Sequence, residues 1–380
     1  MNPRRVLLVT PYDLAVPSGV NRHTRDLLDA LTGRGVEARL IGPASAPVGE
    51  GDPRVVRMGR IWTRAFNGAQ TRITLDWRTV PPLRRLLREF QPDVLHVQEP
   101  VAPLPCAAAL WLAPRGVRRV GTFHTYSETS RDYLWAWPWL QAVRASLDVQ
   151  AAVSAAAREF VGRYHRGPCV VVPHAVRLPP AAEMRPERPP GRPVRLLFVG
   201  RLDEPRKGFA VLVDALRRLH RERPGEYHLT AVGPGLGGWP AAAADLPVDF
   251  RGELTDHELG GAYAAADLVC VPSTGGESFG LVALEALAHG VPVVATRIRG
   301  YVEWLDGAGT GELAQPGDAA DFAAAVRAVT GSAGRHAACA ECARRLAQTY
   351  GWEKRIDEWL QIYRGGPPLE VRKQLAQSAG

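Results

Sequence analysis

The segment from Gly275 to Gly290, GGESFGLVALEALAHG, carries residue types that can bind phosphate and hydroxyl groups. A glycine pair leads to Glu277, and a Ser-Phe-Gly turn then opens an apolar helical run that contains Glu285. Free N–H groups and the helix dipole favour an anion at such a helix start. Because two carboxylates nearby can accept hydrogen bonds from hydroxyls, the segment indicates a sugar nucleotide. A capped helix with two solvated glutamates is the alternative.

A second segment combines a buried strand with two cations. Residues 194–199, VRLLFV, are typical of a buried parallel strand, and a helical pattern begins at Phe209. Between them, GRLDEPRKG puts Arg201 and Lys207 at the carboxyl end of the strand, where open α/β sheets bind ligands. Two fixed cations there can neutralise a diphosphate leaving group. A basic surface loop would explain the same residues.

Two further positions follow predicted strands of the first half. The turn VPSGV lets the backbone approach a phosphate at Gly19, with a helix start behind it. An ordinary turn between strand and helix is the alternative. His124 follows the strand RVGTF and is expected at the carboxyl edge of the sheet, where a lone histidine is often structural.

The two glycine-containing segments, in this order and spacing, resemble the retaining glycosyltransferases of family 4, which have the GT-B fold. Pieces of the first half, VTPYDLAVPSGVNRH, FNGAQTRI, DVLHVQEP and GTFHT, are similar to the phosphatidylinositol mannosyltransferases of that family. The resemblance covers nearly the whole chain. It implies transfer of mannose from GDP-mannose to a lipid such as phosphatidylinositol. Transfer from a UDP-sugar to another lipid or to a soluble acceptor is the alternative.

The resemblance also implies roles for single residues. His124 would lie by the transferred sugar, Glu277 would contact its hydroxyls, and Glu285 would hold the ribose. Asp256, in the loop after the predicted strand 248–252, would contact the base. The residues expected to be catalytic are His124, Arg201, Lys207 and Glu277. The residues expected to bind the donor are Gly19, Arg201, Lys207, Asp256, Glu277, Phe279, Gly280 and Glu285.

The acceptor side departs from the family pattern. Asn67 and Arg72 match positions that hold the inositol phosphate in the family. The family's tyrosine is Phe66 here and its serine is Ala69, so two polar contacts are missing. An anionic head group therefore remains the expected acceptor, while inositol itself is in doubt.

The segment PPLRRLLREF predicts an amphipathic helix over residues 81–90. Arg84, Arg85 and Arg88 fall near one side and the leucines on another. Such a helix can lie on an anionic membrane. A helix packed on its own sheet with solvated arginines is the alternative.

Length and charge limit the class of protein. A chain of 380 residues suggests two domains, and the net charge of +8 favours an anionic partner. Zinc-finger spacing, an RNP signature and a basic-aromatic stripe are lacking, so nucleic acid is not expected. Because no apolar run reaches about 18 residues, a membrane span is not expected. We expect a cytoplasmic protein, with the inner face of the plasma membrane as a peripheral binding place.

The sequence does not predict an obligatory metal. The pair D-x-D, which holds a metal in transferases of the other major fold, does not occur. Arg201, Lys207 and helix dipoles would take over that role, with Mg²⁺ at most an aid. Residues 233–238, GPGLGG, formally match the dinucleotide motif and keep an NAD-dependent oxidoreductase as a remote alternative. The match follows the second strand of its domain and contains a proline.

The alternation of elements predicts an α/β fold of two Rossmann-like domains that face a shared cleft. We expect an N-terminal acceptor-binding domain at 1–176, a proline- and arginine-rich linker at 177–193 and a sugar-nucleotide-binding domain at 194–350. Residues 351–380 would form a C-terminal helix that crosses back to the first domain. A long helix is expected over about 320–346.

Overall fold

The structure is a computed structural model that describes residues 3–16, 18–47, 52–66, 69–128, 133, 137–164, 167–180 and 191–366. The chain divides into two compact units, one made of Met1–Ala175 with Trp352–Gly380 and the other of Val176–Gly351. The sequence placed the domain limits at 176 and 350. Residues 181–190 of the expected linker lie outside the described part.

The first unit is built on a parallel sheet. Its described strands are β1 (Arg5–Val9), β2 (Glu37–Gly42), β3 (Val55–Arg57), β6 (Val94–Gln98), β7 (Arg118–Phe123), β8 (Val149–Ala152) and β9 (Val170–Val171). Their order across the sheet is β3-β2-β1-β6-β7-β8-β9. The apolar run of β1 is buried on both faces, as parallel strands usually are. A separate antiparallel hairpin joins β4 (Trp62–Phe66) to β5 (Ala69–Ile73).

Helices cover both faces of this sheet. They are α1 (Gly19–Gly33), α2 (Val80–Phe90), α3 (Ala108–Leu112), α4 (Trp137–Ala145), α5 (Ala155–Tyr164) and, from the C-terminal end of the chain, α13 (Trp352–Tyr363). Val6 and Leu8 of β1 pack with α1 and α13, whereas Leu7 and Val9 pack with α2 and α3. Because alternate residues of a strand face opposite sides, these helix groups lie on opposite faces. The C-terminal helix thus completes the first unit, where Arg34 pairs with Asp357 at 2.5 Å.

One predicted helix of the first unit is only partly regular. The apolar pattern over 103–113 predicts one helix, but residues 103–107 are irregular, with Leu104 extended (φ −134°, ψ 139°), and α3 starts at Ala108. A proline disfavours the helical conformation of the residue before it, so Leu104, which precedes Pro105, is extended and the regular helix starts only after this segment.

The second unit repeats the architecture with six described strands. They are β10 (Val194–Val199), β11 (Tyr227–Val232), β12 (Val248–Gly252), β13 (Leu268–Val271), β14 (Val293–Thr296) and β15 (Gly311–Ala314). The order across the sheet is β12-β11-β10-β13-β14-β15, and every described pair is parallel. The runs 194–199, 227–232, 248–252, 267–271 and 291–295 predict five of these strands, and β15 is an addition.

The helices of the second unit are α6 (Phe209–Glu222), α7 (Trp239–Ala242), α8 (Asp256–Ala265), α9 (Leu281–Ala288), α10 (Arg299–Leu305), α11 (Ala319–Thr330) and α12 (Ala333–Thr349). The expectation of one helix over 320–346 was wrong. The helix ends at Thr330 with Gly331 as its C-cap, and Ser332 caps a new helix by accepting a hydrogen bond from the N–H of Arg335 at 3.2 Å. Across the described ranges, each helix is too short or too polar to span a bilayer.

Candidate active site

In each sheet, the strand order reverses between two neighbouring strands. β10 lies between β11 and β13, and β1 lies between β2 and β6. The connections that follow β10 and β13 leave towards opposite edges of the sheet, and this opens a crevice at the carboxyl ends of these two strands. β1 and β6 form the same arrangement in the first unit. The segment after β10 holds Arg201 and Lys207, and the segment after β13 holds Glu277. The topology explains why residues some 70 positions apart meet.

Glu277 is the centre of a charged cluster in the second unit. Its Oε1 accepts hydrogen bonds from Nζ of Lys207 at 2.6 Å and from a guanidinium nitrogen of Arg206 at 2.8 Å. Arg206 also binds Glu204 through Nε. All four side chains are half-buried. Charge-assisted bonds of this kind fix the side chains before any ligand arrives.

The cluster keeps the Glu277 carboxylate ionised. Burial by itself raises the pKa of Glu277, but Lys207 and then Arg206 outweigh burial and hold that pKa below its ordinary value. Burial lowers the pKa of Arg206, but the carboxylates of Glu277 and Glu204 outweigh it and leave that pKa raised. The cluster therefore combines two carboxylates, Glu277 and Glu204, with the cations Lys207 and Arg206, and both cations bind the ionised Glu277.

Two glycines let the loops approach each other closely. Gly208 has φ +71°, and a Cβ there would lie 1.9 Å from the carbonyl oxygen of Pro272. Gly280 has φ +95°, and a Cβ there would lie 2.2 Å from Cε1 of Tyr301. Only glycine fits both the space and the left-handed backbone. The close approach at Gly208 brings the turn that carries Lys207 against the segment after β13. Gly280 is the N-cap residue of α9.

Aromatic side chains pack at the turn that precedes α9 and stabilise it. Phe279 is buried and stacks on Trp304 with ring centroids 5.0 Å apart. The indole N–H of Trp304 donates to the carbonyl oxygen of Phe279 at 2.9 Å. The Phe279 side chain is thus structural. The sequence assigned the backbone amides of Phe279 and Gly280 to phosphates, and that assignment stays a prediction.

The structure places two other predicted donor contacts on helices. Glu285 lies on α9, is buried, and its Oε2 accepts a hydrogen bond from the hydroxyl of Tyr263 at 2.7 Å. Asp256 does not lie in a loop, as the sequence predicted, but in the first turn of α8. Thr255 and Glu258 form a capping box at the start of that helix, so that Asp256 is its first residue.

Arg201 does not join the Glu277 cluster. Its guanidinium lies 2.8 Å from Oδ2 of Asp203, and both side chains are largely exposed. The cation that joins Lys207 on Glu277 is Arg206, which sequence reasoning missed. Its signal was the adjacent basic pair in PRKG, where both side chains leave a single 3₁₀ turn.

The first unit holds His124 in a buried polar environment. The backbone N–H of His124 donates to Oε1 of Glu99 at 2.8 Å, and Nε2 of the His124 ring lies 2.7 Å from Oε1 of Gln98. The rings of His23 and His174 lie 5.5 and 5.2 Å from that of His124. Burial, and then these histidines, hold the pKa of His124 well below its ordinary value. His124 is therefore a neutral imidazole.

The turn after β1 places Gly19 at a helix start. Gly19 is the first residue of α1, and Ser18 caps the helix by accepting from the N–H of Asn21 at 3.2 Å. The first turn of α1 contains no acidic residue. A phosphate fits the electrostatics of this position.

Arg72 pairs with a buried acid. Its guanidinium lies 3.0 Å from Oδ2 of Asp13, whose other oxygen accepts from the N–H groups of Ala15 and Ser45. Arg72 itself is exposed. Asn67, the second predicted acceptor residue, lies outside the described residues.

On α2 the arginines and the leucines separate as the sequence predicted. Arg84, Arg85 and Arg88 are exposed, and Arg85 pairs with Glu89 at 2.6 Å. Leu83, Leu86, Leu87 and Phe90 are buried in the core under the sheet. The apolar side of α2 is therefore not available to a membrane, and only its arginine side faces outward.

Two further observations bear on the alternatives. The loop of residues 233–238 leads into α7, which has four residues, rather than into a long dinucleotide-binding helix. Gly235 lies against Asp203, so this loop supports the segment after β10. Within the described residues, no group of three or more His, Cys, Asp or Glu side chains is arranged to hold a metal ion.

Comparisons with known families agree with this division of the chain. Residues 17–179 match the model of Glycosyltransferase Family 4, and residues 193–331 match that of Glycosyl transferases group 1. The Mycobacterium leprae phosphatidyl-myo-inositol mannosyltransferase is 32% identical over 369 residues, 94% of this chain and 96% of that protein. The protein of the same name from Propionibacterium freudenreichii is 33% identical over 79% of each chain.

Solved structures share the architecture at low sequence identity. Sucrose-phosphate synthase from Thermosynechococcus elongatus superposes with a TM-score of 0.74 at 21% identity, over 95% of this chain and 98% of that one. Anabaena HepE, solved in complex with UDP-glucose, gives a TM-score of 0.71 at 19% identity, over 95% and 99%. The fold is thus that of GT-B glycosyltransferases, with two Rossmann-like units. The chain belongs to glycosyltransferase family 4 and is a glycosyltransferase.

Proposed function

We propose that this protein transfers mannose from GDP-mannose to a lipid acceptor of the phosphatidylinositol type, with retention of the anomeric configuration. The observation that carries the proposal is the cluster of Lys207 and Arg206 on the ionised Glu277, at the carboxyl ends of β10 and β13. The mannosyltransferases to which the chain is similar support the choice of sugar and acceptor.

The charges of the cluster suit the departure of a nucleoside diphosphate. The bond that breaks joins the anomeric carbon to the β-phosphate oxygen, and the new bond joins that carbon to the acceptor oxygen. Lys207 and Arg206 stabilise the negative charge that develops on the leaving phosphate. That phosphate takes the proton of the acceptor hydroxyl. Arg201, on the same segment after β10, supplies further positive charge.

The remaining donor contacts follow from groups that can accept or donate. Glu277 accepts hydrogen bonds from sugar hydroxyls and is not a nucleophile in this proposal. Glu285, oriented by Tyr263, holds the ribose, and the amides at the start of α9 meet the phosphates. Asp256 contacts the base from the first turn of α8, and Gly19 meets the diphosphate from the first unit.

His124 contributes as a neutral hydrogen-bonding group. Its depressed pKa makes an imidazolium unsuitable at neutral pH. We therefore assign it to orientation of the transferred sugar rather than to proton transfer.

The acceptor phosphate is assigned to Arg72, together with Asn67. Because Asp13 already holds Arg72 from the buried side, its exposed guanidinium edge is oriented before the lipid binds. Phe66 and Ala69 supply no side-chain polar contact, which leaves room for head groups other than inositol.

A membrane surface is the proposed place of action. Arg84, Arg85 and Arg88 line a shallow groove of about 480 Å³ on the outer side of α2. Next to this helix, Trp77 is 69% exposed, and Trp62 on the hairpin is 60% exposed. Arginines attract anionic lipids, and indole rings favour the interface between water and lipid. We place the enzyme peripherally at the cytosolic face of the plasma membrane.

A donor screen followed by transfer assays tests the function. A ligand at a hundredfold excess over its Kd raises the free energy of unfolding by about 2.7 kcal/mol. At equal concentration, GDP-mannose is therefore expected to raise the melting temperature more than UDP-glucose, because it should bind more tightly. Labelled mannose is then expected in the lipid fraction with phosphatidylinositol. Transfer only from a UDP-sugar, or only to a soluble acceptor, would replace this assignment by the alternative.

The same assay tests the metal requirement. Because Lys207, Arg206 and helix starts supply the positive charge, we expect transfer to continue in EDTA, with Mg²⁺ at most increasing the rate. Complete loss of transfer in EDTA, restored by Mg²⁺, would show that the metal is obligatory.

A further inference from the structure

Gln98 makes a directional contact with the ring of His124. Gln98 is the last residue of β6 and is fully buried, and its Oε1 lies 2.7 Å from Nε2 of His124. In this orientation of the Gln98 amide its oxygen accepts, so Nε2 of His124 carries the ring proton, while the amide nitrogen of Gln98 is buried and has no hydrogen-bond partner among the described residues. The lone pair of the neutral imidazole then lies on Nδ1.

The other ring nitrogen is left without a partner. Among the described residues, Nδ1 of His124 is buried and makes no hydrogen bond. A buried acceptor without a partner is costly, and such groups often mark the position of a ligand or an ordered water.

The neighbouring Glu99 fixes the backbone at the same position. Its Oε1 accepts from the His124 N–H at 2.8 Å and from the Thr125 hydroxyl at 2.7 Å. Glu99 is 3% exposed and has φ +50°, a left-handed backbone that few non-glycine residues adopt. Strain of this kind persists where the surroundings impose it, often at functional sites.

The charged and titratable groups around the ring favour the neutral form. His23 and His174 face it from α1 and from the segment after β9, His96 lies further along β6, and Glu99 lies at its backbone. His96 is itself held between Tyr363 and Thr122 at 2.7 and 2.6 Å. The only carboxylate in this set binds the His124 backbone N–H, not the ring.

We propose that Gln98 is a positioning residue that holds His124 in the Nε2–H tautomer, so that Nδ1 accepts a hydrogen bond from a hydroxyl of the bound sugar. Glu99 fixes the position of the ring along the segment by binding the backbone N–H of His124. The proposal deepens the proposed function and rests on it for the identity of the ligand. It goes beyond the role of His124 because it assigns the tautomer, the accepting atom and the residue that selects them.

The tautomer is measured on the unliganded full-length protein. In ¹⁵N-histidine spectra at pH 7.5, the signals of His124 are those that vanish in His124→Gln. The wild type is expected to show an Nε2–H imidazole, and Gln98→Leu a mixture or the Nδ1–H form. An unchanged tautomer in a folded Gln98→Leu variant would overturn the proposal, as would an Nδ1–H form in the wild type.

Kinetics separate positioning from a structural role. Gln98→Leu is expected to lower kcat about tenfold, the factor that one net hydrogen bond supplies. Gln98→Glu keeps an accepting oxygen and should recover most of kcat, while its charge moves the acid limb of the pH–rate profile to higher pH. Gln150→Leu, at another buried glutamine of the same sheet, is the matched control and should leave kcat unchanged.

Different results would contradict the positioning role of Gln98 and the proposed function. Equal loss of kcat in Gln98→Leu and Gln150→Leu, or no pH shift in Gln98→Glu, would contradict positioning. A wild type that turns over no nucleotide sugar would refute the proposed function, while the spectra would still decide the tautomer.

Discussion

At the scale of single residues, the site depends on charges and hydrogen bonds that hold one another in place. Lys207 and Arg206 share one oxygen of Glu277, and Tyr263 binds one oxygen of Glu285. Such pairs are formed before the ligand arrives, so that little reorganisation is needed when charge develops. The half-buried position of the cluster strengthens these interactions relative to water.

Removal of the Tyr263 hydroxyl tests the role of Glu285. In Tyr263→Phe the buried carboxylate loses an orienting hydrogen bond, so KM for the donor is expected to rise about threefold to tenfold with kcat nearly unchanged. Initial rates against donor concentration measure both constants. Tyr227→Phe, whose hydroxyl lies 3.4 Å from Thr330, is the control. A KM that does not move would remove Glu285 from the donor site.

At the scale of elements, the strand order decides which segments meet. The apolar runs at 194–199 and 267–271 predicted two strands, and parallel packing placed both carboxyl ends at one edge. The sequence could therefore predict that Lys207 and Glu277 belong together. It could not show that Arg206, rather than Arg201, reaches Glu277, because that depends on the path of a 3₁₀ turn.

The hairpin of β4 and β5 shows another limit of prediction. The Asn-Gly pair at 67–68 is a strong hairpin signal, which the assignment of this segment to the acceptor site does not use. Propensity likewise did not show the break at Ser332, where a capping hydrogen bond outweighs the continuity of the alanine-rich pattern.

Gly208 is expected to be irreplaceable at its turn. In Gly208→Ala, the positive φ and the close approach to Pro272 should lower the free energy of unfolding by more than 1 kcal/mol. Gly261→Ala, in α8 with open space around it, should instead raise it by roughly 0.5–1 kcal/mol. Denaturant unfolding measures both. Equal effects would mean that the Gly208 contact is not tight in solution.

The surface beside α2 is expected to bind anionic vesicles. Arg84→Glu with Arg88→Glu should abolish sedimentation with phosphatidylglycerol vesicles at low salt, and Trp77→Ser should weaken it severalfold. Arg221→Glu, at an exposed arginine of the second unit, is the control. Binding that is insensitive to the arginines would place the membrane contact elsewhere.

At the scale of the whole molecule, the buried histidines couple stability to pH. Burial lowers the pKa values of His23 and His96 to about 3, against about 6.5 in an unfolded chain. The unfolded chain thus binds more protons between these values, and stability falls as the pH falls through that window. Burial raises the pKa of Glu99, which offsets part of this loss.

The expected result is a marked acid sensitivity. Below about pH 6 each buried neutral histidine should remove about 1.4 kcal/mol of unfolding free energy per pH unit. Denaturant melts at roughly pH 7.5, 6, 5 and 4 measure the slope across this window, and His23→Gln should reduce it. A free energy of unfolding that stays constant over this range would contradict neutral burial of these rings.

The most direct test of the central claim is the rate of sugar transfer by Lys207→Ala under saturating donor and lipid. If Lys207 and Arg206 stabilise the departing diphosphate, this variant should lose at least a hundredfold in kcat, about 3 kcal/mol, while remaining folded. Arg327→Ala should match the wild type. A Lys207→Ala enzyme with near-normal kcat would contradict the account.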